Sequence, residues 1–339
     1  MARRPLLSLF GALAIVVAAC AGTPAATPTA APTTAPTAAP TPTEAGVPDR
    51  LVLGLVPSRE ADVLVENAQP LADYLSEQLG IPVDSFVPQD YPGLVAAMRT
   101  GQAHIGAFGP FGLIQSVDEA GAEIILQSAR DGAVTYHTQW MTNDPDTYCA
   151  DDVVTDDAGL TYCNGTLEAT EGPIGEDAIA LIPEGTTVSF VGETSASGYL
   201  FPALQLLQLA GLDRETDIDP LFAGGHPASV IAVCNADAPV GVAFDDARTI
   251  LAEGDCDDLG NVVVFAFSQE IPNDGVSVVG TLPDELKQQI AASLMAYSET
   301  EDGAAVLDSI YEIDEFGPAD LDAFDVVRQV AEELGVTSD

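Results

Sequence analysis

Positive charge is nearly absent from this sequence. Its 339 residues include 10 Lys and Arg against 53 Asp and Glu, which gives a formal net charge of −43 at pH 7. A chain this acidic repels the phosphates of nucleic acids and of anionic lipid surfaces, so neither is expected as a partner. A small anion can still bind through short-range hydrogen bonds from oriented N–H groups, which act within distances over which the overall field is screened.

The sequence also lacks the residue spacings that hold metal ions. It contains five cysteines and three histidines, but no C-x-x-C pair and no two neighbouring histidines, which argues against zinc. We expect no metal and no cofactor. Four cysteines remain once Cys20 is set aside, an even number that suits an exported protein. The sequence predicts disulfides Cys149–Cys163 and Cys234–Cys256, and the other two pairings stay open.

A run long enough to span a membrane is missing too, but the N-terminus has the pattern of an export signal. Two arginines precede an apolar run at residues 6–17, which is shorter than a membrane span. Val17-Ala18-Ala19-Cys20 resembles the cleavage motif of bacterial lipoproteins. We therefore predict a signal peptide over residues 1–20, lipidation at Cys20 and an extracytoplasmic protein held at the membrane by its lipid anchor only. The alternative is an ordinary secretory signal cleaved near Ala19.

The rest of the chain divides into a tether and a folded body. Residues 21–47 are almost entirely Thr, Pro, Ala and Gly, which predicts an extended tether that buries nothing. From residue 48 onward strand and helix patterns alternate, which predicts an α/β fold with mostly parallel sheets. The predicted strands are 51–56, 83–87, 104–108, 123–127, 135–141, 187–191, 240–244, 262–267 and 275–279. The predicted helices are 64–79, 93–99, 197–210, 228–235, 284–297, 303–310 and 321–334. Residues 143–175 break the alternation and are interpreted as an insertion on a surface loop.

One segment has the pattern of an anion-binding helix start. A strand at residues 186–191 is followed by Gly192-Glu193-Thr194-Ser195-Ala196-Ser197-Gly198-Tyr199, and a helical pattern opens there. The first N–H groups of a helix have no partners within it and lie at the positive end of its dipole, so they bind phosphate-like anions. The alternative is that Ser195 or Ser197 only caps the helix.

Seven short segments occur in an order that resembles one protein family. They are Gly54-Leu55-Val56-Pro57-Ser58, Asp90-Tyr91, Gly109-Pro110-Phe111, Tyr136-His137, Ser195-Ala196-Ser197-Gly198-Tyr199-Leu200-Phe201-Pro202, Gly224-Gly225-His226 and Ile271-Pro272-Asn273-Asp274. Together they resemble the phosphate-, phosphite- and phosphonate-binding proteins of ABC importers. The resemblance implies a two-lobed periplasmic-binding-protein fold of type II, with lobe 1 at residues 48–141 and 268–339. Lobe 2 would comprise residues 142–267, with the chain crossing near Met141 and returning near Phe267.

The resemblance also implies which residues bind the ligand. In lobe 2 these are Ser195, Ala196 and Ser197, with His226 as a further donor. Ala196 stands where the family commonly has Thr, so one hydroxyl is missing and only the backbone N–H remains.

Residues of lobe 1, and of the segment by which the chain passes back from lobe 2 to lobe 1, would contact the other end of the ligand. Tyr91 and Tyr136 would form walls of the cleft, and Asp274 would accept a hydrogen bond from a protonated ligand group. Asp246, in the Phe244-Asp245-Asp246 segment, would face a ligand ammonium group. Because a carboxylate beside an oxyanion is tolerable only if a proton or a cation compensates it, Asp274 favours a ligand with a P–OH or an ammonium group.

The function implied is capture without catalysis. The protein would bind a small phosphorus oxyanion by hinge closure, as a monomer, and present it to ABC permease and ATPase subunits. Three alternatives stay open. Ser195, His226 and Asp274 would compose a hydrolase triad, although no G-x-S-x-G segment surrounds the serine. A sensor subunit would share these features, and a related receptor for sulfonates or heterocycles would show an aromatic sandwich or an Arg clamp, for which Arg59 is a candidate.

Overall fold

Residues 46–169 and 171–336 are described in a computed structural model of the protein. The expected signal peptide, Cys20 and nearly all of the expected tether lie outside these residues. Within them, no helix is both long and apolar enough to cross a membrane. Helices and strands alternate along most of the chain, as the sequence patterns predict.

The strands of the described chain fall into three sheets. They are β1 (Leu51–Leu55), β2 (Val83–Phe86), β3 (Ile105–Phe108), β4 (Ala122–Ala129), β5 (Thr135–Tyr136), β6 (Thr138–Thr142), β7 (Val154–Thr155), β8 (Thr161–Tyr162), β9 (Thr187–Phe190), β10 (Asp219–Phe222), β11 (Val240–Phe244), β12 (Val263–Phe267), β13 (Ile271–Pro272), β14 (Gly275–Val279) and β15 (Glu315–Pro318). Lobe 1 contains the sheet ordered β15-β4-β14-β3-β1-β2, and lobe 2 the sheet ordered β10-β9-β11-β6-β12-β8-β7.

The helices pack on the faces of these two sheets. They are α1 (Ala61–Leu79), α2 (Tyr91–Arg99), α3 (Pro110–Ala120), α4 (Pro145–Tyr148), α5 (Glu176–Ile179), α6 (Phe201–Gln205), α7 (His226–Cys234), α8 (Asp284–Ser298), α9 (Glu301–Tyr311) and α10 (Asp325–Glu333). Helix α6 is extended at both ends by π-helical turns, Ala196–Leu200 and Leu206–Ala210. Single 3₁₀ turns lie at Thr166–Glu168, Leu259–Asn261 and Asp322–Phe324.

Helix α1 shows how the apolar pattern forms the core. Leu64, Ala68, Leu71 and Leu75 recur at helical spacing and are all buried, because these positions share one face of the helix. The helix continues through Pro70, which lies on the exposed side. The carbonyl that loses its N–H partner there can be hydrated.

Both large sheets are mixed, so the prediction of mostly parallel sheets was wrong. The β1 strand is parallel to β2 and β3, and β9 is parallel to β10 and β11. However, β14 is antiparallel to β3 and β4, and β6 is antiparallel to β11 and β12. Strands β6 and β14 each follow a passage between the lobes without a crossover helix, so they enter their sheets from the opposite edge.

The chain passes between the lobes earlier than the sequence suggested. Strand β5 pairs with β13 in a small antiparallel sheet, with Tyr136 opposite Ile271. The next strand, β6, already belongs to the sheet of lobe 2, so the predicted crossing near Met141 falls inside lobe 2. The run at 135–141 is rich in Thr and aromatic residues and resembles one strand, and only the backbone geometry separates β5 from β6.

The C-terminal helix contacts both lobes, although the sequence analysis assigned residues 268–339 to lobe 1. Helix α10 packs against α3 of lobe 1 and against α6 of lobe 2. Arg214 of lobe 2 donates a hydrogen bond to the Leu334 carbonyl at 3.4 Å, and Gln208 donates one to Glu333 at 3.1 Å.

The segment 143–175 is more than the surface loop that was expected. Its strand β8 pairs in parallel with β12, and β7 pairs with β8, so the segment extends the sheet of lobe 2. The predicted disulfide Cys149–Cys163 crosses this segment with its Cα atoms 5.6 Å apart. The second predicted disulfide, Cys234–Cys256, is also present, with a Cα separation of 6.0 Å. Both predicted pairings are thus confirmed.

Helix α3 is an element that the sequence analysis missed. Pro110 is its first residue, where a missing N–H costs nothing, and Gly121 ends it in the left-handed conformation at φ 62°. Phe111, Leu113 and Ile114 of this helix are buried. Its first turn therefore lies at the cleft edge of the lobe 1 sheet, directly after β3.

Candidate functional site

A cavity of about 410 Å³ lies where the two lobes meet. It forms at the carboxyl ends of the parallel strands, which is where α/β proteins place ligand sites. All eight residues that the sequence analysis named line this one cavity: Ser195, Ala196, Ser197, His226, Tyr91, Tyr136, Asp274 and Asp246. The fold thus brings together side chains that are separated by as much as half of the chain.

The segment after β9 presents hydroxyl and N–H groups to the cavity. Ser195 is the N-cap, and its Oγ accepts a hydrogen bond from the Gly198 N–H at 3.1 Å, so the capping role is real. A hydroxyl that accepts in this way keeps its own proton to donate. The N–H groups of Ala196 and Ser197 have no partner among the described residues, as expected for the first residues of a helix. Both serines are nearly fully buried.

Glycine is required at position 198 by close packing. A Cβ atom there would lie 2.4 Å from the Val191 side chain and 2.8 Å from Ser195 Oγ. The absence of a side chain lets the first helical turn approach the end of β9. This approach sets the direction in which the N–H groups of the turn point.

His226 is a neutral hydrogen-bond donor held in one tautomer. It is the first residue of α7, and its Nδ1 accepts a hydrogen bond from the Phe244 N–H at 3.1 Å. That bond assigns the proton of the neutral ring to Nε2. Burial, helped by the nearby charge of Arg59, lowers the pKa of His226 to about 3. The ring therefore stays uncharged near neutral pH and offers Nε2–H to the cavity.

Two tyrosine hydroxyls face the cavity from lobe 1 and the connecting segment. The Tyr91 hydroxyl is buried and has no hydrogen-bond partner among the described residues, which is uncommon for a buried polar group. Burial raises the pKa of Tyr91 and also that of Tyr136, where a hydrogen bond with Ser197 acts in the opposite direction. Both phenols are thus neutral donors, and the Tyr91 hydroxyl donates to no group of the described residues.

Asp274 already has a cationic partner within the protein. Arg130 Nη1 lies 2.7 Å from Asp274 Oδ1, and Arg130 also donates to the Tyr311 carbonyl at 2.9 Å. The sequence argument assumed that only a ligand proton or cation could compensate this carboxylate. It was wrong on that point because Arg130, at the end of β4, supplies the cation.

The two acids after β11 have partners as well. Asp246 forms an ion pair with the buried Arg248 at 2.6 Å and accepts a hydrogen bond from the Tyr162 hydroxyl at 3.2 Å. Asp245 accepts a hydrogen bond from the His137 N–H at 2.8 Å. Asp246 therefore lines the cavity, but its charge is compensated, contrary to the expectation of a carboxylate reserved for a ligand ammonium group.

A model of the family described as "ABC transporter, phosphonate, periplasmic substrate-binding protein" matches residues 53–324. The chain belongs to this family. The family assignment agrees with the seven segments from which the resemblance was drawn.

Two named proteins show the degree of similarity to other members. The phosphate-import protein PhnD of Mycolicibacterium smegmatis is 27% identical over 224 residues, which cover 63% of this chain and 61% of that protein. The phosphonates-binding periplasmic protein of Escherichia coli is 23% identical over 262 residues, covering 77% of this chain and 70% of that protein. The chain thus spans about three fifths of the length of the first relative.

Solved structures show the same fold. The binding protein component of a phosphonate ABC transporter from Pseudomonas aeruginosa superimposes with a TM-score of 0.69 at 20% identity, covering 85% of this chain and 88% of that one. PhnD1 from Prochlorococcus marinus, in complex with methylphosphonate, gives a TM-score of 0.68 at 17% identity, covering 85% and 99%. The expected two-lobed fold of type II is therefore confirmed.

The cavity of this family member does not link Ser195, His226 and Asp274 into a triad. In a Ser-His-Asp triad the acid orients the imidazole by accepting a hydrogen bond from His Nδ1–H, whereas Nδ1 of His226 accepts one from the Phe244 N–H and Asp274 is bound by Arg130. A pKa of about 3 also makes the imidazole a poor base near neutral pH.

Sequence reasoning missed several polar residues that line the cavity, among them Arg130, Tyr311 and Glu312. Arg130 carried a usable signal, because it is one of only ten cations and lies just past a predicted strand. Tyr311 and Glu312 carried none. They end α9 and reach the cavity only because that helix packs on α1.

Proposed function

We propose that this protein is an extracytoplasmic receptor of an ABC importer that captures a phosphorus oxyanion by closure of its two lobes. The observation that carries the proposal is the set of neutral donors around one cavity. Ser197, the Ala196 N–H, His226 Nε2–H and the unpartnered Tyr91 hydroxyl all belong to it. Such a set suits a compact oxyanion, because neutral N–H and O–H groups bind anions without a proton transfer.

Closure is supported by a contact across the cleft. The His226 N–H of lobe 2 donates a hydrogen bond to the Ser58 carbonyl of lobe 1 at 3.1 Å, and Gly192 lies against the Tyr91 ring. In our proposal the oxyanion binds first to lobe 2, and Tyr91 and Tyr136 then complete its coordination as the lobes meet. The closed form is what the permease would recognise.

The remaining parts of the proposal concern the cell. Cys20 would carry the lipid anchor, residues 21–47 would form the tether, and permease and ATPase subunits would be the partners. Radiolabelled palmitate tests the anchor: incorporation that is lost in Cys20→Ala supports it, and equal labelling of both chains contradicts it.

A sulfonate receptor is the second candidate. The sequence criterion for it was an Arg clamp, and both Arg59 and Arg130 line the cavity. However, Arg130 is committed to Asp274 and to the Tyr311 carbonyl, so one arginine at most is left for such a clamp.

Calorimetry on the full-length chain in detergent tests the function. The ligands are phosphate, phosphite, methylphosphonate, 2-aminoethylphosphonate, sulfate and methanesulfonate. We expect micromolar or tighter binding of at least one phosphorus compound, weakened in Ser197→Ala and unchanged in the surface variant Arg99→Gln. Binding of methanesulfonate alone would favour the second candidate, and no binding of any ligand would refute both.

A further inference from the structure

The Arg59 guanidinium lies inside the cleft with a single acidic partner. Its side chain is 15% exposed and lines the cavity, and its Nη2 lies 2.9 Å from Glu312 Oε2. Its Nε and Nη1 groups have no hydrogen-bond partner among residues 46–169 and 171–336. These two groups are not committed to another described residue, so Arg59 has donors available for a ligand in the cavity that it lines.

Arg59 lies next to the donors already described. The preceding residue, Ser58, accepts the hydrogen bond from the His226 N–H across the cleft. Arg59 and His226 both line the cavity, and the charge of Arg59 contributes to the low pKa of His226. Arg59 therefore lines the same cavity as the oxyanion-binding segment, next to the residue at which the two lobes meet.

We propose that Arg59 is the cationic ligand of the bound oxyanion and that it selects the dianionic form. The inference deepens the proposed function and rests on it. A planar guanidinium can bind two oxygens of a phosphonate at once. Since Arg130 compensates Asp274, that carboxylate does not require a ligand proton. The free donors of Arg59 then favour the more highly charged ligand.

Several charged groups face Arg59 and must be separated from its effect. Asp308, Tyr311 and Glu312 lie at the end of α9, Arg130 follows β4, and His226 begins α7. His226 does not titrate near neutral pH. Burial raises the pKa of Glu312, so Glu312→Gln is the control for titration of that carboxylate.

The test compares two isosteric ligands at two pH values. Methylphosphonate loses its second proton near neutral pH, whereas methanesulfonate stays a monoanion. Calorimetry with the full-length chain measures both affinities at about pH 5.5 and about pH 8.5. In the wild type we expect the preference for methylphosphonate to rise at least about tenfold between the two pH values. In Arg59→Gln the rise disappears, and Arg59→Lys keeps part of it.

Each control excludes one competing explanation. Arg99→Gln removes an exposed cation that pairs with Glu119 at 3.7 Å and should behave as wild type. Glu312→Gln should keep the rise with pH. Near-ultraviolet circular dichroism establishes that each variant is folded.

The outcomes distinguish this inference from the proposed function. If Arg59→Gln keeps the wild-type preference at both pH values, or if Glu312→Gln abolishes the rise, Arg59 does not select the charge of the ligand. If the wild type binds methylphosphonate equally well at both pH values, the inference fails while the receptor stands. If the wild type binds no phosphorus oxyanion, the proposed function itself fails.

Discussion

Arg130 holds Asp274 through both terminal nitrogens of its guanidinium. Nη1 lies 2.7 Å from Oδ1 and Nη2 lies 3.1 Å from Oδ2. Both side chains face the ligand cavity, yet their charges compensate each other before any ligand arrives. The pair connects the end of β4 to a residue between β13 and β14, where the chain passes back from lobe 2 to lobe 1. It therefore forms part of the cavity wall and of the junction between the lobes.

Loss of Arg130 should destabilise the protein through its partner. We expect Arg130→Gln to lower the free energy of unfolding by about 1–3 kcal/mol, because Asp274 and the Tyr311 carbonyl lose their donors. Urea denaturation measures this change. The double variant Arg130→Gln/Asp274→Asn should be more stable than Arg130→Gln alone, since it removes the uncompensated carboxylate. Equal stability of the two variants would show that the charge pair is not the cause.

The two serines at the start of the π-helical turn should differ in their effects. Ser195→Ala removes the cap of Gly198 and is expected to lower the free energy of unfolding by about 1 kcal/mol, with a loss of ligand affinity. Ser197→Ala should weaken binding by about 10- to 100-fold with a smaller change in stability. Denaturation and calorimetry on the same samples separate the two effects. Unchanged affinity in Ser195→Ala would leave that residue the role of a cap only.

Two tyrosines provide a matched pair. Within the part of the chain that the structure describes, the Tyr91 hydroxyl has no hydrogen-bond partner, whereas the Tyr311 hydroxyl donates to the Val56 carbonyl at 2.8 Å. We expect Tyr91→Phe to leave the melting temperature unchanged or raised and to weaken oxyanion binding by about tenfold or more. Tyr311→Phe should lower the free energy of unfolding by about 1 kcal/mol. A lowered melting temperature in Tyr91→Phe would mean that its hydroxyl has a stabilising partner.

The buried imidazole should make stability depend on pH. His226 has a pKa of about 3 in the folded protein against 6.5 ordinarily, so below pH 6.5 the unfolded chain binds a proton that the folded chain does not. The contribution of His226 to the free energy of unfolding is therefore present above pH 6.5 and is lost as the pH falls towards 3. The wild type should lose more stability than His226→Gln below pH 6.5, by up to about 1.4 kcal/mol per pH unit. Parallel pH profiles of the two proteins in urea denaturation would contradict this, since they share every carboxylate.

Each disulfide should stabilise its lobe. Replacing Cys149 and Cys163 by Ala is expected to lower the free energy of unfolding by about 3 kcal/mol, and replacing Cys234 and Cys256 by a similar amount, because each bridge closes a short loop in the unfolded chain. Urea denaturation of the two double variants measures both costs. A reducing agent should lower wild-type stability and leave a variant without all four cysteines unchanged. No effect of the reducing agent on the wild type would contradict the prediction.

Local signals explain why much of the architecture was predictable. The bounds predicted for the strands at 240–244 and 275–279 agree with β11 and β14, because continuous apolar runs between turn residues mark buried strands. The break between β5 and β6 and the antiparallel direction of β14 were not predictable. They depend on how the chain enters a sheet from the other lobe, which no window of sequence contains.

The site divides in the same way. Ser195 and Ser197 could be named because the pattern of a helix start is contained within a few residues of sequence, and His226 could be named from the family resemblance. The tautomer of His226 could not be predicted from the sequence, since it depends on the Phe244 N–H from a neighbouring strand. The compensation of the Asp274 carboxylate could not be predicted either, because its partner Arg130 lies 144 positions away in the chain.

The sequence alone was enough for the alternation of strands and helices and for the position of the helix start after β9, since both follow from neighbouring residues. The tertiary structure alone decided which charges compensate one another in the cleft. Long-range pairs such as Arg130–Asp274 and Arg59–Glu312 form only when separate strands and helices meet. Electrostatic interaction depends on distance in space and on burial, and neither can be read from order along the chain.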